Sequence, residues 1–509
     1  MLMALSRIAN KFARANDGNI AVLFGLLLVP LLVAVGLAFD YGRALMVRER
    51  MGDAADAAAL AVGSWPGMTQ TQLRDKAKQF FDANYPASKL GTAAKFNIDF
   101  AGDDIVVKVT GVMPTTVMKV ANVDHLNVGA STTVTKKERN IELALVLDTT
   151  GSMDSGGKLA AMKSAANQMV TTLFDDKSTS ETLKIAVVPF SGAVNIGTDK
   201  LNSGWLDKKT SDTMSAIAKE DFTFTSGQSI VKLYDDLKNR DWAGCVRERA
   251  EPYELTDDAA GSGATLFAPY FAPDEPDEPD DNDGYANNYI PDGTCGESKK
   301  KDRTPDKCQL YTGKYANASA NKAEKGPQYN CPPRPITPLT NTKSTVTTAI
   351  NALAADGNTV IPAGLLWGWR VLSPTSPFTE GKPYDDDKWV KAVVLLTDGE
   401  NMVSGGSNGH NKSVYNAFGY ARSGHLGNTS GSNAETTLNS KTATVCNAIK
   451  AKGIQVYTIG FQISSTTTQN MLKNCATKPD MYYNSPSNDQ LASIFQDIAK
   501  GLGELRIAQ

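Results

Sequence analysis

The chain has 509 residues, more than one hydrophobic core organises, so several domains are expected. Its 52 basic and 55 acidic side chains give a formal net charge of -3, and nothing in that balance points to a nucleic-acid partner. The three histidines, His125, His410 and His425, form no His-Glu-x-x-His pattern, which removes the commonest zinc-protease site.

In chain order, the first feature is Ile20 to Phe39, "IAVLFGLLLVPLLVAVGLAF", which carries no charge. At about 1.5 Å per helical residue it crosses the roughly 30 Å core of a bilayer, predicting one transmembrane helix. A cleaved signal peptide is the competing reading, but the apolar run exceeds the about 7 to 15 residues of a signal core and Pro30 interrupts it. Basic residues flank both sides: Arg7, Lys11 and Arg14 before, Arg43, Arg48 and Arg50 after. The basic count therefore does not orient the span. All six cysteines lie on its long carboxyl-terminal side, an even number suited to three disulfides in an oxidising compartment.

The Ala-rich stretch after the span reads as the same helix continuing to about residue 63, and Gln70 to Asn84 is a second helix. "FNIDFAGDDIVVKVTGV" alternates as two strands, Phe96 to Phe100 and Ile105 to Val112, about a Gly-Asp turn. A small α+β module over 64–140 follows from these elements.

Ile141 to Leu147 is a buried-strand run, followed by the loop "DTTGSMDSGG" and a helix over Lys158 to Phe174 with apolar residues at helical spacing. Leu183 to Gly192, Lys391 to Glu400 and Ile454 to Phe461 are further apolar strands, each approached by a helical stretch, which predicts a parallel α/β sheet. Between Leu201 and Pro338 this pattern gives way to polar sequence holding Cys245, Cys295, Cys308 and Cys331. A connection that long implies an inserted lobe, stapled by its own disulfides. Cys446 and Cys475 flank the strand ending at Phe461 and are expected to pair with each other, and the four insertion cysteines among themselves. The organisation is thus 1–63 for tail, span and extension, 64–140 for the module, 141–200 with 339–505 for the α/β domain, and 201–338 for the insertion. A closing helix places Leu491, Ile494, Phe495, Ile498 and Leu502 on one face. The acidic run Pro273 to Tyr285 fails as an EF-hand loop, since Pro279 and Ile290 would stand at ligand positions, and reads as a solvated loop.

Open α/β sheets bind ligands beyond the carboxyl ends of their strands. There the sequence offers Asp148, Thr150 and Ser152 in "DTTGS", Thr359 before a helix starting near Pro362, and Asp398 in "TDGEN". Such an oxygen-only set suits Mg²⁺, Mn²⁺ or Ca²⁺. These residues resemble the von Willebrand factor A domain and its metal-ion-dependent adhesion site, whose pattern is Asp-x-Ser-x-Ser, a middle-loop threonine and a later Asp-Gly. Thr150 replaces one serine. The resemblance implies a Rossmann-like fold, a mostly parallel sheet with helices on both faces. It also implies a divalent cation, Mg²⁺ first, held by Asp148, Thr150, Ser152, Thr359 and Asp398 and open to an acidic residue of a protein partner. A simple helix-capping loop would account for "DTTGS" alone, but not for Thr359 and Asp398.

The amino-terminal stretch, with Gly18, the Pro30-broken helix, Asp40-Tyr41-Gly42 and "AADAAALA", resembles the TadE/TadG-like proteins of tight-adherence (Flp) pilus assembly. That resemblance implies a single-pass protein of a bacterial inner membrane with its bulk in the periplasm or beyond, working with pilus or secretion-machinery components as an adhesion or assembly module and not an enzyme. Two alternatives stay open: a phosphotransferase forming an aspartyl phosphate on Asp148, whose loop looks like that of P-type ATPases, and a metal-free scaffold of the same fold.

Overall fold

The computed structural model describes residues 18–63, 69–85, 92–101, 104–135, 137–175, 177–277, 285–320, 325–403, 410–427 and 431–508. The chain forms two compact units, one built from residues up to Glu138 together with the last three residues, the other from Arg139–Arg506. The segment 201–338 falls within the second unit.

In the first unit a single helix, α1 (Gly18–Gly63), runs through the apolar segment and its Ala-rich continuation without a break at Pro30. Its early side chains lie exposed, among them Leu26, Leu31 and Val35, and it is long and apolar enough to cross a membrane. Past the apolar part, Ala44, Val47, Met51, Ala55 and Ala58 are buried against α2 (Gln70–Asn84) and a three-stranded antiparallel sheet. Its strands are β1 (Thr92–Ala101), β2 (Asp104–Pro114) and β3 (His125–Thr135), in that order. Where α1 leaves its most apolar stretch, the buried Asp40 carboxylate accepts the backbone N–H groups of Thr116, Val117 and Met118 at 2.8 to 3.1 Å. Three donors on one carboxylate satisfy a charge that would be costly to bury alone.

The second unit is organised by a six-stranded sheet. Its strands are β4 (Asn140–Asp148), β5 (Leu183–Phe190), β6 (Thr337–Thr340), β7 (Trp389–Thr397), β8 (Gln455–Phe461) and β9 (Tyr482–Ser485), in spatial order β9-β8-β7-β4-β5-β6. All neighbours are parallel except β6, which runs antiparallel to β5. Period-two alternation divides the strands between two cores. Ile141, Leu143, Leu145 and Leu147 pack with α3 (Lys158–Phe174), α4 (Lys343–Ala352) and α8 (Asn488–Arg506). Ala144 and Val146 face the other way, toward α5 (Ile361–Leu372), α6 (Gly431–Ala451) and α7 (Thr466–Cys475). Helix α5 is wholly buried and sits close on the sheet: a side chain at Gly364 would overlap Phe190, and one at Gly368 would overlap Val146.

The segment 201–338 leaves the sheet after β5 and returns as β6, extending the second core with Phe222, Tyr234, Phe267, Phe271 and Tyr315. Rings in contact, such as Tyr234 with Phe271 at 4.8 Å, give it far more apolar burial than its polar composition announces. Disulfides join Cys245 to Cys331, Cys295 to Cys308, and Cys446 to Cys475. The expected solvated character of the acidic run needs correction at its start, since Asp274 and Glu275 are buried. Their charges are compensated: Lys314 lies 2.9 Å from Asp274, and Glu275 accepts from Asn287 and Asn411 at 2.6 and 2.9 Å. Residues 278–284, which hold the would-be EF-hand positions Pro279 and Gly284, lie outside the described residues.

Candidate metal centre

Strand β4 is buried along nearly its whole length and delivers Asp148 to the carboxyl edge of the sheet, fully enclosed. Parallel pairing puts Leu147 opposite Leu396, so one residue further on Asp148 meets Thr397. The Thr397 hydroxyl donates to Asp148 Oδ2 at 2.6 Å, and the Thr150 backbone N–H donates to Oδ1 at 2.9 Å. The chain then makes a short helical turn over Gly151–Asp154 and passes Gly156 and Gly157, both left-handed at φ 62° and 70°, into α3. Glycine is the residue that takes two such turns in succession at little cost.

Three loops are laced together at this edge. The Gly151 N–H donates to Gly357 O at 2.9 Å and the Asp356 N–H to Thr149 O at 2.8 Å, binding the loop before α5 to the loop after β4. The Met402 N–H donates to Thr359 O at 2.9 Å, and the Ile361 N–H donates to Asn401 Oδ1 at 2.8 Å, binding that middle loop to the one after β7. Gly399 of the loop after β7 lies close to the Thr359 hydroxyl, with room there for an ordinary van der Waals contact.

The five residues singled out in the sequence thus come to one edge. Thr150 and Ser152 hydroxyls are 2.9 Å apart, and Ser152 Oγ donates to Asp398 Oδ1 at 2.7 Å. Asp148, Thr150, Thr359 and Asp398 are buried, whereas Ser152 is exposed, so the cluster opens to solvent on the Ser152 side. Burial first, and then the charge of Asp398, push the Asp148 carboxyl up to about 6, against the opposing pull of its hydrogen bonds from Thr150 and Thr397. The one cation touching either carboxylate among the described contacts is Lys158, whose ammonium lies 2.8 Å from Asp398 Oδ2. Two carboxylates facing one lysine leave a deficit of positive charge, and the hydroxyl oxygens supply neutral ligands beside it. That donor set fits a hard divalent cation.

Thr397, Asn401 and Lys158 escape a reading by motif. Each carries a signal in hindsight: Thr397 is the last residue of an apolar strand, Asn401 follows the Asp-Gly by two, and Lys158 is the first basic residue after Asp148. Beside the middle loop lies a cavity of about 800 Å³ walled by Asp356, Gly357 and Asn358 and by Arg240, Lys325 and Tyr329 of the 201–338 segment. Asp292 with Cys295 and Cys308 forms another compact group of ligand-type atoms, but the two sulfurs are bonded to each other.

The strand order with its single antiparallel edge strand, the hydroxyl-rich loop after the first strand and the Asp-Gly after the fourth-ranked strand β7 define a von Willebrand factor A-like fold. At the other end of the chain, residues 18–64 match the Tad family, Flp pilus-assembly TadE/G-like, so the protein joins a TadE/G-like amino terminus to a von Willebrand factor A-like unit. Among solved structures the chain is similar to the von Willebrand factor domain of the type V pili tip protein Mfa5 from Porphyromonas gingivalis, with 10% identity, TM-score 0.33, and 73% of this chain and 97% of that one covered. It is also similar to the pilus adhesin SpaC from Lactobacillus rhamnosus GG, at 11% identity and TM-score 0.32 over 82% of this chain and 35% of that one. The pilus adhesin RrgA from Streptococcus pneumoniae aligns at 9% identity and TM-score 0.33, over 80% and 49% of the two chains. The chain therefore spans about a third of SpaC. No curated protein matches it.

Proposed function

We propose that the protein is a membrane-anchored envelope component of tight-adherence pilus assembly or surface adhesion, which grips an acidic residue of a protein partner through a divalent ion. Thr150 and Ser152, with Thr359 beside them, would hold the ion by their hydroxyl oxygens. Asp148 and Asp398 would orient those hydroxyls and any water on the ion. A cation held largely by neutral oxygens keeps Lewis acidity for a partner carboxylate, and the exposed Ser152 side leaves room for one. The ion, when bound, supplies that electrophilic contact; Mg²⁺ is the first choice and Mn²⁺ or Ca²⁺ share the chemistry. Partners drawn from the pilus or secretion machinery are the reading that the Tad segment supports. The apolar half of α1 serves as a single-pass anchor in the inner membrane, with the disulfide-bonded unit on the oxidising side.

The observation that carries this reading is the Ser152 hydroxyl donating to Asp398 while accepting from Thr150, which leaves it one lone pair for an ion on its exposed side. Phosphotransfer to Asp148 is disfavoured by the same geometry, because that carboxylate is enclosed and both its oxygens are engaged. Titration calorimetry of the detergent-solubilised full chain with Mn²⁺ and Mg²⁺ tests the proposal. Saturable binding that disappears in Ser152→Ala supports it; absence of binding by the parent chain would leave a metal-free scaffold.

A further inference from the structure

Lys158 is the first residue of α3, yet it points back into the carboxylate cluster. The two left-handed glycines before it fold the chain so that its ammonium reaches Asp398 Oδ2 at 2.8 Å, while Asp398 Oδ1 takes the Ser152 hydroxyl at 2.7 Å. Both oxygens of Asp398 are therefore occupied, and the Asp398 side chain is shielded from water while that of Lys158 keeps 16% of its surface exposed. The lysine links the loop after β4 to the loop after β7 by charge, the bond that a divalent ion would otherwise make. Its flexible stem and its exposed edge give the ammonium a way out to solvent.

We infer that Lys158 is a tethered cation standing in for the divalent ion: it holds the metal-free centre together and has to leave Asp398 when the ion enters. This rests on the metal-binding reading above and adds to it a competition internal to the chain. In a shielded site an ammonium on Asp398 and a divalent ion on the Ser152 hydroxyl beside the same carboxylate repel strongly, so ion affinity is lowered by the lysine and the empty centre is stabilised by it. Removal of the ammonium should shift both quantities in opposite directions, which a lysine that merely caps the loop would not do.

The test compares the full chain with Lys158→Met and Lys158→Arg, measuring Mn²⁺ affinity by calorimetry and melting in EDTA and in Mn²⁺. Lys158→Met should bind Mn²⁺ at least tenfold more tightly, melt lower than the parent in EDTA, and gain more from Mn²⁺ than the parent does. Lys158→Arg, whose fork grips a carboxylate on two points, should bind Mn²⁺ no better than the parent. Equal or weaker binding by Lys158→Met overturns the competition and leaves the metal site standing. Absence of binding in all three proteins overturns the metal reading and the inference with it. Should Lys158→Met fail to fold in EDTA, recovery of its fold on adding Mn²⁺ supports the inference; failure in both buffers passes the decision to Lys158→Arg, where tighter binding than the parent overturns it.

Discussion

Ser152 and Asp398, 246 residues apart in the chain, are joined by a hydrogen bond of 2.7 Å. That bond ties the loop after β4 to the loop after β7, and the parallel pairing of those two strands makes it possible. Everything proposed for the centre depends on this convergence, and its electrostatics can be read out in several ways.

Asp148 is enclosed beside a second carboxylate, with its carboxyl pushed up to about 6. A folded-state value above the ordinary one means that the folded chain binds this proton more tightly than the unfolded chain does. The stability it contributes is therefore full below about pH 4 and is lost as pH rises through about 6. Asp148→Asn removes the titration, and the Thr397 hydroxyl can turn to accept from the new amide. In EDTA the variant should melt above the parent at pH 7.5, with the gap closing toward pH 4, as followed by circular dichroism; it should also lose Mn²⁺ binding.

The same proton competes with the ion. A cation beside Asp148 favours its charged form, so apparent Mn²⁺ affinity should be flat above about pH 7 and fall roughly tenfold by pH 5, the direction expected when one group titrating near 6 must deprotonate. Calorimetry at several pH values, in buffers of different ionisation heat, would show the released proton. Constant affinity from pH 7.5 to 5 would refute the coupling.

Gly368 lies where α5 crosses β4, and any side chain there meets Val146. Gly368→Ala would raise helix propensity, but in this packed core the overlap should dominate and destabilise the second unit by about 1 to 3 kcal/mol. Chemical unfolding monitored by tryptophan fluorescence, with Trp367 and Trp369 on the same helix, measures it.

The Cys446–Cys475 disulfide closes a sequence separation of 29 residues between α6 and α7, around strand β8. Replacing both by serine should cost about 3 to 4 kcal/mol by the chain-entropy model. Non-reducing peptide mapping should recover Cys446 with Cys475, Cys245 with Cys331 and Cys295 with Cys308.

In the first unit, Asp40 gathers three backbone N–H groups at the turn beginning Thr116. Asp40→Ala strips their acceptor and should loosen this turn locally. Hydrogen exchange should quicken at Thr116, Val117 and Met118 while strand β8 stays unchanged.

The sequence by itself determined the elements whose periodicity is strong and local. The apolar run of α1 has no alternative but burial or a membrane, the buried strands β4, β5, β7 and β8 are continuous apolar runs, and α3 and α8 keep one apolar face at helical spacing. The short edge strands β6 and β9, four residues each, carry no such signal; their hydrogen bonding is supplied by a neighbour far away in sequence. Strand β3 alternates mostly small and polar residues, and only its pairing with β2 reveals it. The aromatic rings of 201–338 have no period because they answer to contacts such as Tyr270 with Tyr415, 4.9 Å apart and 145 residues distant in the chain. The candidate ligands were legible as residue types at loop positions, since chemistry at a strand end favours hydroxyls and carboxylates there. Which carboxylate meets which hydroxyl, and that Lys158 turns inward to Asp398, are decided by the pairing of β4 with β7 and by two left-handed glycines. A local sequence window holds no information about the first and leaves the direction of the second open.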